Sequence, residues 1–78
     1  MEMLRTLTLR VELFAGTDVR DAAIDLCELA NRIGVLCEAE FNGVTLWARA
    51  GDDPGLLVED FHKQMSLPEQ RFRIARAR

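Results

Sequence analysis

The sequence predicts a small α+β domain of order β-α-β-β-α, with or without a fourth C-terminal strand, built as a mixed sheet with two helices on one face. Three observations predict it. Thr6–Leu13 alternates apolar and polar residues with the two-residue period of a half-buried strand. Val19–Ile33 carries its apolar residues at helical spacing. Asn42-Gly43 sits between two alternating segments, the strongest short hairpin signal.

In the first strand Leu7, Leu9, Val11 and Leu13 face one way, and Thr6, Thr8, Arg10 and Glu12 the other. Ala15-Gly16 breaks it. Asp18 is placed to cap the following helix through its carboxylate, and Asp21 adds negative charge where the helix dipole favours it. Val19, Ala22, Ala23, Leu26, Cys27, Leu29, Ala30 and Ile33 form the buried stripe; Ile24 falls on the polar side and is the exception. Gly34 ends the helix in the C′ position.

A two-residue turn at Asn42-Gly43 sets the hairpin register: Phe41 opposite Val44, Glu40 opposite Thr45, Ala39 opposite Leu46, Glu38 opposite Trp47, Cys37 opposite Ala48 and Leu36 opposite Arg49. One face is then Val35, Cys37, Ala39, Phe41, Val44, Leu46, Ala48 and Ala50, which predicts core. The other is Leu36, Glu38, Glu40, Thr45, Trp47 and Arg49. Asp53 caps a second helix with Pro54 at its first position, and Leu57, Val58, Phe61 and Met65 form its buried stripe.

Ser66-Leu67-Pro68-Glu69 reads as a capping box for a third helix, whereas Arg71-Phe72-Arg73-Ile74 alternates like an edge strand. The strand reading places Phe72 and Ile74 on one side and is preferred. The charge distribution divides the chain. Residues 1–68 form the single α+β domain, with six basic and twelve acidic residues (net −6); residues 69–78 form a basic tail with four arginines and Glu69 (net +3). The tail is expected to be dispensable for folding.

Seventy-eight residues form one small core, in which a deep catalytic cleft is hard to accommodate. No signal peptide or spanning segment is evident, so the cytoplasm is expected and no membrane role. Cys27 and Cys37 have no CxxC partner and read as buried apolar residues; a disulfide between them is not required. His62, the single histidine, has no nucleophile at a readable spacing and reads as a boundary residue. Asp52, Asp53, Glu59 and Asp60 lack calcium-loop spacing, and the five glycines are dispersed, so neither a metal nor a phosphate-cradling loop is expected. No catalytic residue and no cofactor are expected.

Two surfaces carry functional candidates. The outer sheet face presents Leu36, Glu38, Glu40, Trp47 and Arg49, with Trp and Arg of the kinds enriched in interface hot spots. A lone exposed aromatic, or one covered by the tail, is the structural alternative for Trp47. The tail presents Arg71, Arg73, Arg76 and Arg78 as a contact set; as phosphate contacts they would give modest, salt-dependent binding, against which the acidic body works.

The stretch Glu40-Phe41-Asn42-Gly43-Val44-Thr45-Leu46-Trp47-Ala48-Arg49-Ala50-Gly51-Asp52-Asp53-Pro54, with the strand and helix before it, resembles a cassette of small phage- and prophage-encoded proteins, over roughly residues 5–65. Its motifs are a turn and a helix cap, and it carries over no site residue. The resemblance implies an accessory protein that binds a host protein, as anti-CRISPR proteins do, and an acidic body suits a basic groove. The expected function is thus a non-enzymatic protein-binding module of the phage inhibitor kind, whose partner is a host complex or a second copy of itself. The alternative is a nucleic-acid-associated regulator using the arginine tail; a small enzyme subunit, the third class, has no residue in its support.

Overall fold

A computed structural model describes residues 6–67 and 73–77. The elements are β1 (Thr8–Arg10), α1 (Val19–Ile33), β2 (Leu36–Phe41), β3 (Val44–Ala48), α2 (Pro54–Ser66) and β4 (Ile74–Ala75). They form one four-stranded sheet in sequential order, with β1 parallel to β2, β2 antiparallel to β3 and β3 parallel to β4. The α+β class and the fourth strand are as the sequence predicts.

The hairpin follows from its turn. Asn42 (φ 51°) and Gly43 (φ 80°) both take the left-handed conformation that a type I′ turn demands. Phe41↔Val44, Glu40↔Thr45, Ala39↔Leu46, Glu38↔Trp47 and Cys37↔Ala48 then pair as expected. The last expected rung, Leu36 with Arg49, is absent from the ladder: β3 ends at Ala48, and the Arg49 N–H turns to donate to Asp52 Oδ2 at 2.8 Å.

Both helices cover the same sheet face. Ala22, Ala23, Leu26, Cys27 and Ala30 of α1 and Leu57 and Phe61 of α2 share one core with Cys37, Ala39, Val44, Leu46, Ala48, Ala75 and Ala77. Gly34 ends α1 at φ 67°, donating its N–H to Ala30. Asp53 caps α2, accepting the Gly55 N–H at 2.9 Å. Asp18 departs from expectation: its carboxylate makes no capping bond, and only its backbone carbonyl accepts, from the Ala22 N–H. Ser66 closes α2, with its hydroxyl donating to the Lys63 carbonyl; residues 68–72 lie outside the described segments.

Strand order and shared face have a topological consequence. Both crossovers, β1-α1-β2 and β3-α2-β4, step across the sheet in the same sense, while strand direction reverses between them. Two helices on one face therefore give the crossovers opposite hands, so only one has the right-handed sense that such units overwhelmingly adopt.

Three expectations about burial are corrected. The first strand is three residues long instead of eight, and Leu7 and Leu9 stay 56% and 39% exposed, because α1 packs over β2 and β3 and leaves β1 uncovered. Val11 and Leu13 do pack against the core edge. Met65, Ile33 and Ala50 lie exposed at element ends, beyond the reach of the opposing layer. Residues 73–77 are no solvated tail: Ala75 and Ala77 are buried, β4 pairs with β3, and the Thr45 N–H donates to the Arg73 carbonyl at 2.8 Å. Ala75 and Ala77 belong to the body's hydrophobic layer, which a division by charge could not show.

Candidate functional site: the outer sheet face

The sheet face opposite the helices arranges its side chains in rows set by the strand registers. The central row runs across all four strands. Arg10 on β1 is ion-paired with Glu38 on β2, Glu38 stands opposite Trp47 on β3, and the Arg76 guanidinium lies 4.8 Å from the Trp47 ring centroid. One neighbouring row contains Glu40, Thr45 and Ile74; the other begins with Thr8 and Leu36. Leu36, Glu38, Thr45, Trp47 and Ile74 are half-buried by one another, while Glu40 and Arg49 are exposed. Among the described residues no helix or loop lies over this face.

Trp47 is thus partly covered within its own chain. Arg76 reaches it because β4 continues the sheet: Leu46 pairs with Ala75, so the next residue comes beside Trp47. Asp60 on α2 secures the segment by accepting the Arg76 N–H at 2.8 Å. Sequence reasoning missed this contact. Asp60 and Arg76 are distant in the chain, and an acidic residue on the polar side of a helix carries no local sign of such a role.

Beside Trp47 the face opens into a recess of about 220 Å³ lined by Trp47, Arg49, Asp52, Arg76 and Ala77. Asp52 is already engaged with the Arg49 backbone N–H, and Arg49 and Arg76 supply the cationic side of the lining. An aromatic face with two arginines suits a side chain that is planar or anionic.

The structure separates the tail arginines. Arg76 joins the outer face, whereas Arg73 lies on the helix side and directs its guanidinium toward Met65 Sδ, 4.0 Å away. They do not make one phosphate-tracking row. Arg71 and Arg78 fall outside the described residues.

The other candidates resolve as follows. Cys27 and Cys37 are free thiols buried in the core. Desolvation pushes the Cys27 thiol up to about 11, with the Asp52 and Asp53 carboxylates adding to it, and burial also raises that of Cys37. Neither is poised as a nucleophile, which needs the thiolate. His62 is exposed and meets the edge of the Phe61 ring, a boundary position as expected. Ile24 has a local explanation: it lines a groove between the helices with Pro54 and Val58. Among the described residues no cluster of His, Cys, Asp and Glu could hold a metal, and no helix is long and apolar enough to cross a membrane.

No protein family, curated protein or solved structure matches this chain.

Proposed function

We propose that this chain is a non-enzymatic protein-binding module that engages its partner through the outer sheet face, with the recess beside Trp47 as anchor. One observation carries the reading: the face left free of helices among the described residues gathers Leu36, Ile74 and the only tryptophan, and Trp47, Arg49 and Arg76 line a preformed hollow there. A sheet face with no layer above it is ordinarily polar. Trp and Arg, here a half-buried Trp47 beside exposed Arg49 and Arg76, are the residue types enriched among those that dominate binding energy in protein interfaces. Glu38 and Glu40 form an acidic side to the patch, so the partner surface it fits is of mixed charge with a protruding anionic or planar group. The resemblance to phage accessory proteins supports a partner from a host defence complex, which the chain would inhibit by occupying a working surface. The separation of Arg73 from Arg76 supports protein over nucleic acid as that partner.

The test is affinity capture from a host lysate with the native chain and with Trp47→Ala and Arg49→Ala variants shown to be folded by circular dichroism. The native chain is expected to retain a discrete protein at physiological salt that both variants lose. Equal capture by all three, or retention of nucleic acid alone, would overturn the reading.

A further inference from the structure

β1 is an edge strand, and among the described residues its outer edge has no hydrogen-bonding partner. The Val11 N–H donates inward to the Glu38 carbonyl at 2.9 Å. In an extended chain the N–H and C=O groups of Arg10 and Glu12 then point outward, away from the sheet. An unpaired edge of this kind templates pairing with another strand, and proteins usually protect it. Here the protection is small. On the helix side of the strand Leu7 and Leu9 are 56% and 39% exposed, and at the end of the same segment Phe14 is 91% exposed. Phe14 borders a groove of about 210 Å³ that it forms with Val11, Leu13 and Leu29, among others. An apolar strip and a row of unpaired backbone groups thus coincide on one edge.

We propose that residues 7–14 are the interface of a homodimer in which β1 pairs antiparallel with β1 of a second copy, extending the sheet to eight strands. Charge selects the occupant and the register. A closed dimer needs a two-fold axis, so each residue meets its counterpart across one centre. Centring on Arg10 sets two guanidiniums opposite each other, which is destabilising. Centring on Val11 sets Arg10 opposite Glu12 of the second copy, twice, with Leu9 opposite Leu13 and Val11 opposite itself. Leu9, Val11 and Leu13 then meet on the helix side, and Phe14 comes alongside Thr8 of the second copy. Arg10 pairs inward with Glu38 through Nη1 alone, which leaves its other guanidinium nitrogens for this contact. The pattern is self-complementary, as a two-fold interface requires. It leaves both Trp47 faces open on one continuous sheet surface, so it is independent of the partner proposed above.

Sedimentation velocity over a micromolar-to-millimolar concentration series of the full chain tests this. The native chain is expected to reach twice the monomer mass. Leu9→Lys is expected to weaken association about tenfold or more. Arg10→Glu and Glu12→Arg supply the charge test, since both positions are exposed. Each variant alone opposes like charges and is expected to stay monomeric, whereas an equimolar mixture opposes unlike charges at every contact and is expected to dimerise. A native chain that is monomeric throughout would overturn the proposal. So would a dimer that survives Leu9→Lys and Glu12→Arg, or a mixture that associates no better than its components.

Discussion

Trp47 shows how much of a residue's behaviour is set by one contact. Its indole is half-buried under the Arg76 guanidinium, a cation–π arrangement worth about 0.5–1 kcal/mol near a surface. Arg76→Ala should therefore shift Trp47 emission to the red and increase its quenching by acrylamide, with only a small loss of stability. Unchanged quenching would mean that the stacking does not persist in solution. Gly43 is the complementary case. A Cβ there would meet no atom within 4 Å, so any cost of substitution is conformational and comes from φ 80°. Gly43→Val should cost on the order of 2 kcal/mol, read as a drop in the thermal midpoint. The thiols respond to pH. The unfolded chain releases the Cys27 proton near 9.0 and the folded chain near about 11. Between these values the unfolded state binds fewer protons, so stability should fall as pH rises from 9 to 11 and be unaffected by this group below 9. Cys27→Ser keeps the small side chain and should flatten that alkaline slope in thermal melts.

Among the elements, β4 is the shortest and the most consequential. Two strand residues bring Ala75 and Ala77 into the core, cover the β3 edge and carry Arg76 to the outer face. Asp60 on α2 holds it from the helix side. Cutting the chain after Leu67 should then broaden or abolish the cooperative thermal transition, because it uncovers Val44, Leu46 and Leu57 at the β4 edge. A sharp transition in the truncated chain would show that β4 is an accessory to the fold. Asp60→Ala is the milder version and should cost about 1 kcal/mol, together with increased Trp47 quenching. β1 differs from β4 in having no helix over it, which is why its leucines are exposed while the alanines of β4 are buried.

At the scale of the whole molecule, two helices lie closely on the sheet because the contact layer is made of small residues. Ala22, Ala23 and Ala30 of α1 share one core with Ala39, Ala48, Ala75 and Ala77, and Leu26, Leu46, Leu57, Val44 and Phe61 are its larger members. Phe41 and Phe61 close one end edge-to-face, with centroids 5.4 Å apart. Such a core has few large side chains, so each counts heavily. Leu57→Ala should cost about 2–5 kcal/mol. In a chain of this size that is a large share of the total stability, roughly 5–10 kcal/mol, and the variant should show a much lower thermal midpoint. Packing both helices on one face also imposes the opposite-handed crossovers.

Elements with local causes are legible in the amino-acid order alone. The Asn42-Gly43 turn set the hairpin register, Gly34 and Asp53 set one helix end and one helix start, and the alternation in residues 35–48 placed Trp47, Leu36 and Glu38 together on the outer face. These follow from φ/ψ preferences and from periods of two and 3.6 residues, which act over a few neighbours. Which strands the helices cover emerges only from the packing of the whole chain, and with it the exposure of Leu7, Leu9 and Met65 despite a core-like pattern. That packing also decided that residues 73–77 belong to the sheet, that Arg73 and Arg76 part to opposite faces, and that Asp60 reaches the Arg76 backbone. Each of these depends on contacts between distant segments. Amphipathic patterning states that a face is to be buried, and it does not state against what.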